Sequence, residues 1–561
     1  AAHLAELDEV LGYADELAAA EHGPDAARAE PIEDLQPTAL ALPLPWLVDR
    51  YVALLEARQQ AVMQLIDRDG SQLAMAVVSA QHEVTTTAHR IANVLARAGR
   101  PGEIAAHLAP LAGIGADKDL ALRATLVADR PTADSYDALA RSLAGDPDAP
   151  DPAAALAVCL AGLARFPHDA ELSGSAAQHA AALGRVDQAI ALYEGAIAAQ
   201  NGEVDAALAL RLGKLYAERI SRLAYGGRPG AAAAAWQDLA RYTASEARRS
   251  PGDVWAEVDA IGQSSLGRGL VSQGRLADGE RALVASIDRA PSVDAYEALV
   301  TIYYKTGRYA SATRYASAGL GLLGSDTSAD RYHRAKLERL AGDLARAGNQ
   351  SRDAAALYLD TMRLWTSLGE DRNLPRAIAA ERKLEVGRAL WFLGDHDKAV
   401  DLVLDAVDFD PTSPAICGSA VELLLELGAS RYALDALHRG LGSDGLTELN
   451  KVYISLWALA DARQHGAIAD RLATDYLASR HGDLWYERLA EAATGRLDFA
   501  ELAGAARTAP EQAELAFYGA TLGLDPAAHT PAGQRTRLRA VVAAGMVMDA
   551  EYDLARLYLG R

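Results

Sequence analysis

Cysteine is nearly missing from this chain: Cys159 and Cys417 are the only two in 561 residues. Two thiols so far apart, each inside a helical stretch, exclude a disulfide framework and any paired-cysteine metal or redox motif. Aromatic residues make up only 6%. Val and Ile are nowhere grouped into alternating runs bounded by turns, which leaves no case for a sheet. No apolar run reaches the roughly 18 residues of a membrane-crossing helix. Positive charge is in deficit, with 55 Lys+Arg against 76 Asp+Glu and a net charge of −21. That balance opposes binding to a nucleic-acid backbone, which needs clustered cations. It suits solubility and partners with neutral or basic surfaces. A P-loop, a G-x-S-x-G elbow and a Cys-x-x-Cys pair are all missing, so catalysis has no positive sign and no cofactor is expected.

What is abundant is alanine, leucine and arginine within a 50% hydrophobic composition. This favours closely packed helices, and the excess of arginine over lysine fits a GC-rich genome. The clearest internal order lies between Leu384 and Gly440. Gly394 and Gly428 stand 34 positions apart there, and so do Ala399 and Ala433. Around each glycine an apolar helix, a tight turn and a second helix follow one another. A helix–turn–helix unit of this period marks a tandem helical repeat.

The spacing of small and bulky residues sharpens that reading. Val386, Gly387, Leu390, Gly394, Ala399, Val403, Ala406 and Pro411 form one copy. Leu266, Gly267, Leu270, Gly274, Gly279, Leu283, Ser286 and Pro291 form a second. Tyr296, Leu299, Tyr303, Gly307 and Ala312 continue it, and Gly184, Ala189, Tyr193 and Ala196 give an earlier one. Degenerate copies run from Ala155 to Pro167, Leu340 to Tyr358, Trp457 to Tyr476 and Leu484 to Arg507. The small residues permit close helix approach, the glycine takes the positive-φ turn, and the proline stops the second helix. The pattern resembles the tetratricopeptide repeat (TPR) over about two-thirds of the chain. The resemblance implies an all-α, right-handed α-solenoid whose units stack into one continuous core. It is expected to be a bacterial TPR-repeat protein.

Four segments follow from this reading. Residues 1–45 hold a helix and a Pro-rich strap, and 46–130 hold divergent hairpins or an N-terminal cap. Residues 131–510 hold the repeat array and 511–561 a helical cap, since an uncovered last repeat would expose its apolar side. The chain opens Ala1-Ala2-His3 without Met, so the expectation leans towards a processed protein of the bacterial cell envelope over a cytoplasmic one, with the compartment left open.

Several local motifs are read as structural. GLGLLG (Gly319 to Gly324) spells the dinucleotide-binding G-x-G-x-x-G, but it ends a helix where that motif must follow a strand and open one. His82, Glu83 and His89 lack the i, i+4 spacing and third ligand of a helical zinc site. Asp146, Asp148 and Asp151, like Asp67 and Asp69 with Gly70, lack the Gly and Glu of a calcium loop. No metal is expected.

In TPR proteins the first helices of successive repeats line a concave groove that receives a peptide or helix. Carried over by position, the resemblance implies Arg268, Ser272, Glu297, Thr301, Tyr304, Lys305, Glu338, Arg346, Arg388, Trp391, Phe392, Glu422 and Glu426 as groove residues. Trp391 and Phe392 are adjacent and cannot share one face of a helix, so at least one must leave the local core. The expected function is a non-catalytic scaffold or adaptor that presents this groove to a protein or peptide. The alternative is a sensor solenoid holding a small ligand or signalling peptide.

Overall fold

The computed structural model describes residue 85 and residues 88–109, 118–145, 150–200, 203–324, 327–371 and 374–560. The Pro-rich strap, Asp67, Asp69, Gly70, His82, Glu83, Asp146 and Asp148 lie outside the described residues. Every regular element among the described residues is a helix. The protein is all-α and built of helical repeats. It divides into two units, Ala1–Leu208 and Ala209–Arg561.

In the first unit three helices, Ala133–Ala144, Pro152–Leu163 and Ala170–Ala182, begin on side-chain caps that satisfy free backbone N–H groups. Thr132 and Ser135 cap each other's backbone at the start of Ala133–Ala144, with N–O distances of 3.0 and 3.1 Å. Asp151 caps Pro152–Leu163 through the Ala154 N–H at 2.9 Å and pairs with Arg97 at 2.5 Å. Its aspartate is therefore a helix cap. His89 is buried. Burial pushes the Cys159 thiol up to about 12, far from nucleophilic range.

The second unit repeats one plan. Val254–Ser272 pairs with Leu276–Arg289, Val293–Lys305 with Tyr309–Leu322, and Ser328–Ala347 with Ser351–Leu368. Arg376–Leu393 then pairs with His396–Phe409, and Pro414–Glu426 with Ser430–Leu441. The turn glycines Gly274, Gly307, Gly394 and Gly428 all have positive φ, from 71° to 92°. In the Ser328–Ala347 pair the same place is filled by Asn349 at φ 59°, the one described non-glycine with positive φ. Asparagine tolerates that region better than other side chains, which is why this copy looked degenerate in sequence.

Gly267 and Gly279 show why small residues recur. A Cβ on Gly279 would lie 2.4 Å from a Val271 methyl and 2.6 Å from the Gly267 carbonyl oxygen. Gly279→Ala is expected to destabilise the unit by about 1–3 kcal/mol, because overpacking against backbone outweighs alanine's better helix propensity. Urea unfolding of the intact chain measures it; a stability gain would mean the two helices can separate freely. The GLGLLG stretch closes the Tyr309–Leu322 helix, and a Cβ on Gly319 would meet Leu337 and Tyr296 at 3.0 Å. Gly319 is thus a packing position. Among the described residues no helix is long and apolar enough to cross a membrane.

Candidate functional site

Four successive first helices of the second unit turn one face to a shared concavity. Helical spacing decides which side chains arrive there. Val293–Lys305 sends Thr301, Tyr304 and Lys305, and Ser328–Ala347 sends Arg339, Asp343 and Arg346. Arg376–Leu393 sends Arg388 and Phe392, one turn apart, and Pro414–Glu426 sends Glu422 and Glu426 in the same way. The Ala550–Gly560 helix closes the concavity with Asp553, Arg556 and Leu557. Between them remains a cavity of about 540 Å³.

The Ala550 helix is held to partners remote in sequence. Lys305 donates to the Asp553 carboxylate, and Tyr552 Oη donates to the Lys305 carbonyl oxygen at 3.2 Å. Glu551 is buried and accepts from Trp457 Nε1 at 2.8 Å and Tyr518 Oη at 2.5 Å. Leu554 and Ala555 are fully buried. Glu514, beside Glu551, accepts from Trp485 Nε1 at 2.7 Å and Tyr453 Oη at 2.8 Å. So a single short helix crosses the face of several repeats and is fixed by an ion pair and by buried donors.

The cavity's charges are matched to different degrees. Arg339 is matched, contacting Asp343 at 2.6 Å and Glu385 at 2.9 Å, and Asp343 also accepts from Tyr358 Oη at 2.7 Å. Arg388 meets Glu426 only at 3.9 Å. Arg346 sits over the Phe392 ring, 4.1 Å from its centroid, in a cation–π contact, and its Nε donates to Tyr358 Oη at 3.4 Å. Burial, then repulsion from Glu426, pushes the Glu422 carboxyl up to about 8 despite the nearby Lys305. Burial also raises Glu426, with Arg388 opposing the rise. Asp549, at the base of the closing helix, is pushed up to about 7 by burial and Glu551. Burial opposes the charge on Lys305, but Asp553 and Glu422 outweigh it and hold the ammonium above its usual range.

Of the thirteen groove candidates, Thr301, Tyr304, Lys305, Arg346, Arg388, Phe392, Glu422 and Glu426 meet in this one cavity. Arg268 sits half-buried on Val254–Ser272, away from it. Glu297 is engaged by His333 at 2.9 Å and Lys336 at 3.7 Å. Trp391 leaves the cavity and stacks on His396, 4.3 Å between centroids, against the core of the following repeats. Phe392 goes the other way and stacks on Tyr358 at 5.3 Å. Ser272 is buried with its hydroxyl donating to the Gly269 carbonyl oxygen at 2.8 Å. Sequence reasoning missed Arg339, Asp343, Asp553, Arg556 and Leu557. The i, i+4, i+7 row of Arg339, Asp343 and Arg346 was there to be read; nothing local marks Asp553.

Among the described residues two groups of side chains stand close enough to hold a metal ion: Asp294, Glu297 and His333, and the carboxylates of Glu422, Glu426 and Asp553. Each already has a lysine ammonium against it, Lys336 in the first and Lys305 in the second, which takes up part of the charge a cation would neutralise.

No protein-family model matches the chain, and no curated protein matches it. Among solved structures it is similar to yeast Tom70, with 13% identity over 83% of this chain and 96% of that one, at a TM-score of 0.34. The apo form of RapI is 11% identical over 69% of this chain and 98% of that one, at 0.34. The TPR domain of P58(IPK) is 10% identical over 76% and 98%, at 0.20.

Proposed function

We propose that the Ala209–Arg561 unit is a non-catalytic scaffold that presents its concavity to a helix or extended peptide of a protein partner. One observation carries this reading: the concavity already holds a helix, the chain's own Ala550–Gly560, through side chains drawn from widely separated repeats. A surface that grips one amphipathic helix has the aromatic and arginine anchors that dominate helix-in-groove recognition. The cysteine of this unit, Cys417, is buried and does not line the concavity. Burial pushes the Cys417 thiol up to about 11, and a Cβ on Gly440 would come within 2.4 Å of its sulfur.

The test places a photoreactive phenylalanine analogue at Tyr304 and, in a second variant, at the exposed Leu322. Irradiation in the native cell is expected to give a discrete protein adduct from Tyr304 and none from Leu322. Only an internal adduct from Tyr304, or identical adducts from both positions, would overturn the reading. The sensor alternative is favoured by one feature, the closure of the cavity by the Ala550 helix into a space of small-molecule size.

A further inference from the structure

We propose that the partner presents an acidic amphipathic helix with the Glu-Tyr-Asp-Leu pattern of residues 551–554, and that it binds by taking the place of the chain's own Ala550–Gly560 helix. This rests on the scaffold reading and adds to it the chemistry of the partner.

The docked helix reports what the groove recognises. Three consecutive side chains each meet a receptor there. The Glu551 carboxylate accepts from Trp457 Nε1 and Tyr518 Oη, Tyr552 Oη donates to the Lys305 carbonyl oxygen, and Asp553 pairs with the Lys305 ammonium. Successive helical positions lie about 100° apart, so these contacts grip the helix over roughly 200° of its circumference. Leu554 and Ala555 are fully buried, and Tyr558, one turn beyond Leu554, stacks on Phe517 at 6.3 Å. A helix that only covered the last repeat would need an apolar face alone. Here the polar residues are matched as well, one of them by Lys305, 248 positions away. The receptors also set the sign of the partner. A basic helix in the same place would set Lys or Arg against Lys305 and against the Trp457 indole N–H, which donates and cannot accept. The groove therefore reverses locally the preference expected from a net charge of −21.

The internal helix fits this groove incompletely. Its Asp553, Arg556 and Leu557 border the cavity of about 540 Å³, whose far wall includes Leu340 and Phe392. Tethering gives the chain's own helix an effective concentration on the order of millimolar. A partner helix displaces it only through contacts that the internal one lacks. The open volume is where they form: a larger apolar residue at the Leu557 position gains dispersion contacts that leucine leaves unmade.

The probe is a fluorescein-labelled synthetic peptide with the sequence of residues 548–560 carrying Leu557→Trp. It is added to the intact chain and to the full-length variant Leu554→Ala, which loosens the internal helix and leaves the groove untouched. Fluorescence anisotropy is expected to give a Kd of about 10 μM or tighter with Leu554→Ala. Binding to the unaltered chain is expected to be at least ~10-fold weaker, because its groove is occupied. The same peptide with Glu551→Lys and Asp553→Lys is expected to bind neither chain. Should Leu554→Ala fail to fold, Asp553→Asn, which weakens only the ion pair, replaces it with the same expected order of binding. Four results would overturn the proposal: no uptake of the acidic peptide by the loosened chain, equal uptake by the two chains, equal uptake of the basic peptide, or helix exchange between two copies in place of peptide uptake. A protein adduct at Tyr304 without peptide uptake would leave the scaffold reading standing and remove this proposal alone.

Discussion

Lys305→Met lowers the stability of the Ala209–Arg561 unit by about 3–5 kcal/mol, the usual result of removing one partner of a buried ion pair. Lys305 joins Val293–Lys305 to the Ala550 helix through Asp553, and its side chain is 20% exposed against 10% for Asp553. Glu422 and Glu426 lie close enough to form one carboxylate group with Asp553. Without the ammonium three half-buried acids repel one another and the closing helix loses its anchor. Asp553→Asn costs less, because Lys305 still faces Glu422 and Glu426. In the double variant Lys305→Met with Asp553→Asn, part of the loss returns, giving a favourable coupling in a double-mutant cycle. Urea unfolding of the intact chain and the three variants measures this. A loss below about 1 kcal/mol for Lys305→Met, the range of a surface pair, would show that Lys305 is solvated and the helix unanchored.

The second large effect is on pH. Glu422 is raised to about 8 and Asp549 to about 7, and burial holds Glu514 well above the carboxylate range, with Glu551 adding repulsion. In the unfolded chain the same acids ionise near 4–4.5. Between those values the folded protein keeps protons that the unfolded chain has lost, so stability falls as pH rises. Each such group contributes about 1.4 kcal/mol of loss per pH unit until its folded value is reached. The charged groups that face Glu422 are Glu426 on its own helix, Lys305, Asp553 and Arg388. Two of these are anions, and its ionisation adds a third negative charge. His333 works in the same direction. Its hydrogen bond to Glu297 raises it, so that contribution is complete below about 6.5 and is lost as pH climbs through the folded value. The unfolding midpoint is therefore expected to be highest near pH 5 and to fall steadily to pH 8. Glu422→Gln flattens that decline and raises stability at pH 8.5 by about 2 kcal/mol. A midpoint that rises between pH 5 and 8 would mean that these acids are solvated and ionised.

Much of the architecture could be read directly from the chain, for a physical reason. A turn that needs positive φ selects glycine, and close helix contacts select alanine, so Gly274, Gly307, Gly394 and Gly428 with Ala312, Ala399 and Ala433 declare the repeat. Asn349 hid one copy because it meets the same backbone demand with another side chain. Helical periodicity likewise put Arg388 and Phe392, or Glu422 and Glu426, on one face. What periodicity cannot report is the partner across that face. Trp391 was diverted by His396, and Glu297 by His333 and Lys336, contacts set by neighbouring helices. The Ala550 helix reads as a simple cover for the last repeat. Its salt bridge to Lys305 spans 248 positions of sequence, and no local pattern specifies an encounter at that range.

The docked helix is the central claim, and amide hydrogen exchange on the intact chain tests it most directly. The amides of residues 553–558 are predicted to exchange as slowly as those in the core of Pro414–Glu426, because exchange there requires undocking of the helix and exposure of Leu554, Ala555 and Glu551. Lys305→Met is predicted to speed those amides selectively, before the rest of the unit. Exchange within seconds in the unaltered protein, at the rate of a frayed helix, would contradict the account and leave the concavity without its own occupant.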